Sequence, residues 1–354
     1  MTVDEIKQLI AQGMPIMKKD LSKMDFSGED LTGAIFINCN LDGCLFAKTG
    51  LERVVFTQCQ LNHTQWQEPM MLQLNIIECS MEHALIAGKC EAMTLCNNSL
   101  QSSLWQQVEF DKVTITGSDF LQSQFKQCIF DTCTLMECQV EDVIFNGCKF
   151  HNVSWVKGDF SKTIFDNCSL EQVLLLESQF IQQNFDNTLF SRCTCTDSLF
   201  DQCSFKKANM LESNLSKCHI KKSIFNEAAL QRGLFIEAVI DECSFEEANL
   251  EGSNFQEAKI SSSSFKKASI NDAWLKAMTA SKVNFSQAVM SGVSLFYAVL
   301  DHCAFKHADL KGAMVHGLQE SSCNWDGANK KGIVKNDPDQ QNIDDKLKQR
   351  GITV

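Results

Sequence analysis

Eighteen cysteines, seven histidines and a glycine-rich stretch are the residues of this chain best equipped for chemistry, and their spacing decides what they can do. Thiols in that number would suit a disulfide framework or a set of soft-metal sites. Zinc sites, however, draw on closely spaced Cys pairs followed by His, and no CxxC pair with such a His occurs. His63, His83, His151, His219, His302, His307 and His316 are scattered, and His302 and His307, outward on adjacent sides, have no Cys or carboxylate set converging on them. Gly43 to Gly50 imitates a phosphate loop, yet the order GxxxxGK(S/T) is missing. The expectation is therefore no catalytic residue, no metal ligand, no cofactor and no enzyme.

Composition narrows the partners. The chain has 354 residues and a net charge of −12, which makes free nucleic acid an unsuitable ligand. The first twenty residues lack the basic and apolar regions of a signal peptide, and no apolar run approaches the roughly 20 residues that span a bilayer. Neither secretion by that route nor a membrane partner is expected. There are 25 Phe against one Tyr, and 18 Cys against three Pro.

The elements that must position these residues follow from an internal period of five. Phe225, Leu230, Phe235, Ile240, Phe245 and Leu250 are apolar at that spacing, and the frame extends back to Leu95 and forward to Leu310 and Val315. Glu320 breaks it, and Trp325 is a late echo. A second frame runs from Leu21 to Ile86, one residue out of step with the first, so the register slips between Ile86 and Leu95. Of the 25 Phe, only Phe296 lies off these central positions. The residue two before each central one is small, and 15 of the 18 Cys occupy that slot. Cys195 takes a central slot, which leaves Cys90 and Cys96 outside the inward pattern.

Period five matches neither helix nor continuous strand, but it fits short strands broken by a turn every five residues. Alternation then points the central residue and the one two before it inward. Four such sides would close a square coil of 20 residues, and residues 21–330 would form a rod on the order of 70 Å at about 4.8 Å per coil.

The blocks Ala248-Asn249-Leu250-Glu251-Gly252 and Ala308-Asp309-Leu310-Lys311-Gly312 match the formula A(D/N)LXX, and residues 25–34 come close to it. Over roughly 300 residues the chain resembles the pentapeptide-repeat family. That resemblance implies an all-β, right-handed quadrilateral parallel β-helix and specifies the four-sided coil. Three segments are expected: an N-terminal capping segment over 1–20, the β-helix over 21–330 with a register slip at 87–94, and a C-terminal cap or tail over 331–354. Thr2-Val3-Asp4-Glu5 reads as a capping box opening a helix over 2–12. Asp337-Pro338 can open another, with Ile343 and Leu347 on one face and Gly351 closing it. Pro69 and Leu74 fit the small slot poorly, so a bulge or projecting loop is expected near 87–94.

In this frame the cysteines become small core hydrophobes, and so many unpaired thiols favour a reducing compartment such as the bacterial cytoplasm. Charges such as Asp201, Lys221 and Asp241 alternate in columns 20 residues apart, which argues against a DNA mimic. One side gathers outward apolar residues, among them the lone Tyr and the off-frame Phe. Trp274, Phe296, Tyr297, Met314, Leu234 and Ile236 form the candidate face for a protein partner or homodimer. Packing beneath the C-terminal segment is the alternative.

The likeness of residues 2–28 to pentapeptide-repeat proteins of bacterial type VI secretion implies a scaffold or adaptor for spike assembly or effector loading. A topoisomerase-binding DNA mimic of the quinolone-resistance kind is the alternative, and a secreted effector that captures a host protein is a third.

Overall fold

The computed structural model describes residues 1–349, and the chain divides into two compact units, Met1–Phe180 and Ile181 onward. Gly351, expected to close the last helix, lies outside the described residues. Each unit is a right-handed parallel β-helix with four sides to the coil.

In the first unit, one side is a nine-stranded parallel sheet from Ile16–Met17 to Leu174–Leu176. Its register advances by 20, as in Phe36↔Phe56 and Leu135↔Trp155, except for one step of 19 at Ile76↔Leu95. Another side is held by isolated bridges such as Asp20↔Asn40 and Asn40↔Gln60. In the second unit, strands Leu199–Asp201 to Gln319–Ser321 stack on one side, and bridges such as Leu234↔Asn254 and Asn254↔Trp274 hold another.

The corners explain the period. The Phe235 carbonyl accepts from Ala238 N–H at 3.1 Å, while Glu237 between them has φ of 56°. A left-handed residue at the third position is the mark of a type II turn. Arg232, Ala277 and Tyr297 take the same conformation with no glycine to ease it. Each such residue costs about 1 kcal/mol, offset by the ladder bonds on either side.

Inside, the large residues stack with their counterparts 20 residues on. Phe205, Phe225, Phe245, Phe265 and Phe285 form a column with ring centroids 4.6–5.2 Å apart. None of the eighteen cysteines is in a disulfide, and sixteen are buried. Many of their sulfurs donate to carbonyls of the preceding coil, as from Cys44 to Leu21 O at 3.1 Å. Burial pushes the Cys44 thiol up to about 11 and the Cys243 thiol up to about 12, so both remain protonated core atoms.

The register slip is resolved without a projecting loop. Residues Leu85–Glu91 and Leu104–Asp111 run as continuous strands, with a bulge between Ile86 and Gly88. Gly88 sits at φ 121°, and a Cβ there would lie 3.0 Å from the Glu68 backbone. Dropping one residue at this corner places Cys90 opposite Met71 and Phe110. Cys90 is thus a fully buried central residue, contrary to the sequence reading. Leu74 also fits its slot, because its column neighbours Val54 and Met93 are buried with it in place of Ala or Ser. Pro69 is buried too, at a slot whose N–H serves the turn elsewhere and not the ladder.

Helix α1, Val3–Ala11, opens with the expected capping box: Thr2 Oγ1 accepts from Glu5 N–H, and Glu5 returns a bond to Thr2 N–H. Ile6 is buried and Lys7 pairs with Glu29 of the coil beneath. At the far end of the second unit, the central slots of the last coil hold Glu320, Trp325 and Lys330. Trp325 stacks on Phe305 at 4.0 Å, donates to Glu320 and carries the Lys330 ammonium 4.3 Å above its ring.

Buried tryptophans obey a local rule. Trp66 and Trp105 donate their indole N–H at 2.8 Å to the hydroxyl two residues earlier, Thr64 and Ser103. Trp155 has Val153 there, and its Nε1 has no partner. An unsatisfied buried donor costs about 1–3 kcal/mol. Val153→Thr should therefore raise unfolding stability by about 1 kcal/mol in a denaturant titration. No gain would show that the orphaned N–H is not a liability.

Candidate functional site

The second unit brings together part of the expected aromatic face and diverts the rest. Leu234, Trp274 and Met314 share one ladder column, each separated from the next by a small polar residue, Asn254 or Ser294. Trp274 is 58 % exposed, while Leu234 and Met314 are half-buried between their neighbours. Ile236 and Phe296 flank the other edge of the same side and are half-buried as well. Lys276 is the one charged residue among these flanking positions from Leu234 to His316. The result is a strip in which a single large aromatic stands out of a flat, nearly uncharged sheet.

Tyr297 belongs to a different structure. It occupies the left-handed corner after Phe296, and its ring lies over Gly317, where any Cβ would come within 2.5 Å of it. Its hydroxyl donates to Asp344 of helix α2, Pro338–Gln349. Asp344 also faces His316 Nε2 at 3.0 Å, and His316 Nδ1 accepts from Asp337 N–H at 3.2 Å. These bonds fit the neutral imidazole with its proton on Nε2. His316 and Asp344 are 4 % and 7 % exposed, so the helix is held by a buried polar cluster.

Sequence reasoning missed His316 and Asp344 because it sought an apolar face on the helix. Ile343, expected to pack, is 46 % exposed; the contact is made one position further on. Apolar periodicity carries no signal for an attachment built from a histidine, a carboxylate and a phenol. Gly317, the one residue small enough to sit under Tyr297, was the available hint.

Charge columns differ between the units. Asp201, Lys221 and Asp241 alternate as expected, and Lys267 pairs with Glu247 at 2.8 Å. In the first unit, Glu91, Asp111 and Asp131 stack directly, followed by His151 and Glu171. His151 Nδ1 lies 2.9 Å from Asp131, which lowers that carboxyl and raises the imidazole. This acidic run departs from the alternation read in the sequence. Among the described residues no group of three or more His, Cys, Asp and Glu is arranged to hold a metal, and no helix is long and apolar enough to cross a membrane.

Family comparisons agree with the coil geometry. The pentapeptide repeat region matches residues 198–275, and the eight-copy pentapeptide repeats match residues 20–47 and 280–312. The chain belongs to the pentapeptide-repeat family. It is similar to a quinolone resistance pentapeptide repeat protein, QnrB96 of Scandinavium goeteborgense, at 26 % identity over 143 residues. That match covers 39 % of this chain and 63 % of the relative's length. Among solved structures, HetL of the cyanobacterium Nostoc, involved in heterocyst differentiation regulation, aligns over 95 % of this chain and 97 % of its own at 15 % identity and a TM-score of 0.19. QnrB1, a plasmid-mediated fluoroquinolone resistance protein, aligns over 70 % and 89 % at 15 % identity and a TM-score of 0.16.

The single tyrosine reports on the helix attachment. Burial and then the Asp344 carboxylate push the Tyr297 phenol up to about 12. Because the neutral phenol is the form that donates, its contribution to docking is complete below about pH 10 and is lost as pH rises through about 12. Asp344→Asn should bring the ultraviolet absorbance titration of Tyr297 down toward its ordinary value of about 10. An unmoved titration would mean that the helix does not hold this phenol.

Proposed function

We propose that this chain is a non-catalytic docking scaffold that binds a protein partner through the Trp274 side of its second unit. The observation that carries the reading is a largely exposed tryptophan fixed on a rigid ladder column with Leu234 and Met314, on a side with one charge. Tryptophan is among the residues most enriched at binding hot spots. The strip's backbone is already ordered, so binding there costs little conformational entropy. A homodimer through the same strip is the alternative occupant.

The finer role, an accessory for type VI secretion spike assembly or effector loading, is supported by the likeness of residues 2–28 and belongs to the same docking reading. Eighteen cysteines without a disulfide favour a reducing compartment, in keeping with a bacterial cytoplasmic site of action.

The test is recovery of partners from the native bacterium with wild type and with Trp274→Ala/Met314→Ser, a pair that leaves the α2 attachment intact. Partner yield should fall about tenfold, equivalent to about 1.4 kcal/mol, with the circular dichroism spectrum unchanged. Equal recovery of the same partners by both proteins would remove the strip as the docking surface.

A second reading has one observation in its favour. The carboxylates Glu91, Asp111 and Asp131 stack as a run of like charge, the feature a mimic of a nucleic-acid backbone needs, with Lys89, Lys112 and His151 paired at its edge. On that reading the chain binds a topoisomerase. Purified protein should then protect gyrase supercoiling from a fluoroquinolone, and Asp111→Lys/Asp131→Lys should abolish the protection. No protection by the wild type would dismiss it.

A further inference from the structure

The nine-stranded side of the first unit differs from its other three sides in charge. None of the residues flanking its nine central positions is charged, in a chain of net charge −12. The other sides carry charged flanks, such as Asp42 and Glu82, Lys126 and Asp166, or Glu91 and Asp111. On the uncharged side the composition is symmetric about the middle. The first four strands present Met17, Ile35, Ile37, Val55 and Ile77, and the last three present Met136, Val156, Leu174 and Leu176. Between them lie Thr94, Cys96, Thr114, Thr116 and Thr134. Met17, Ile35 and Met136 are exposed and most of the others half-buried by their ladder neighbours.

We infer that this side is a self-association surface, on which two copies of the chain stack sheet to sheet about a two-fold axis running along the fifth strand, Thr94–Cys96. The axis keeps strand direction and reverses strand order, so each apolar end covers the other and the threonine rows meet in the middle. The charges at the corners agree with this order. The left-handed corner beside the first strand holds Lys18 and that beside the ninth holds Glu177, which lies 4.0 Å from Lys157 of its own chain, so reversal adds Lys18 of each copy to the Glu177 pair of the other. The remaining corner levels oppose Asn38 to Lys157, Gln58 to Glu137 and Glu78 to Gly117, with no like-charge pair. Stacking without reversal would bring none of these opposite charges together.

Two like-charged molecules approach most cheaply where neither carries charge, because no ion is desolvated and the remaining charges stay in water. Interdigitated sheets lie about 10 Å apart, as in a sandwich. Nine strands at about 4.8 Å and three residues at about 3.3 Å give a plane on the order of 400 Å² per copy. That is below the roughly 800 Å² per partner of a standard interface, so the dimer is reversible and concentration-dependent. Screening of the net negative charge favours it, so association strengthens with salt.

Cys96 supplies the test, since it lies on the axis and is one of only two thiols that are not buried, with Cys323 the other. In a Cys323→Ser background, a bismaleimide with a short flexible spacer should cross-link two full-length chains through Cys96, whose thiols face each other within the roughly 10 Å that separates stacked sheet backbones. Cys96→Ser should abolish the product. Thr116→Glu/Val156→Glu, both outward changes, should lower dimer yield about tenfold with the thermal transition unchanged. Sedimentation equilibrium from about 2 to about 200 µM should show a monomer–dimer equilibrium of the strength such an area supports, shifted toward dimer by salt. A monomer throughout that range overturns the inference. A dimer that neither cross-links at Cys96 nor responds to the glutamates overturns it equally, by placing the interface elsewhere. Neither result touches the Trp274 strip, whose partner recovery is measured with the first unit unaltered.

Discussion

Nearly everything in these coils depends on the left-handed residue that recurs at almost every corner. It turns the chain onto the next side, and ends most strands after two or three residues, at a conformational cost that most residue types resist. Lys, Glu, Gln, Asn and His all accept it here, because the N–H and C=O groups on either side are bonded to coils above and below. The ladder therefore stabilises the turns and the turns set the ladder's register. A coil alone would have neither, which is why such repeats are stable only in stacks.

From that register comes the strict division between inward and outward residues. Two positions in five are sealed from water and select for shape: a large residue at the centre and a small one two before it. Cysteine competes there with alanine and serine on size alone, and its sulfur takes a weak bond to the preceding coil. The outward positions are free of packing constraints, so their chemistry is the part of the sequence that can be spent on recognition. Trp274, the acidic run through Asp111 and the uncharged threonine-centred sheet are three chemically different outward surfaces on the same scaffold.

The fold was legible because a period of five has few solutions. Phe225, Phe245 and Phe265 announce their column from the sequence, and the rings stack as that spacing requires. Legibility failed where the period broke. A one-residue deletion at the Gly88 corner moved Cys90 into the core, and no local pattern distinguishes an absorbed deletion from a loop. It failed again at helix α2, where the contact is polar and apolar spacing pointed to Ile343 in place of Asp344. Of the candidate face, Trp274, Leu234 and Met314 align as the count of 20 predicts. Tyr297 was legible as an outward residue, but its partner lies 47 positions away, beyond the reach of any repeat.

The coil of 20 also governs which changes of length such a chain can accept over generations. Insertion or loss of a whole coil keeps every later residue on its own side and alters only the extent of each surface. A change of five residues leaves the core slots filled yet carries every later column round to the neighbouring side, splitting any surface that crosses the junction. Duplication in multiples of four repeats is thus nearly silent, whereas a single repeat gained or lost rewrites what the protein displays.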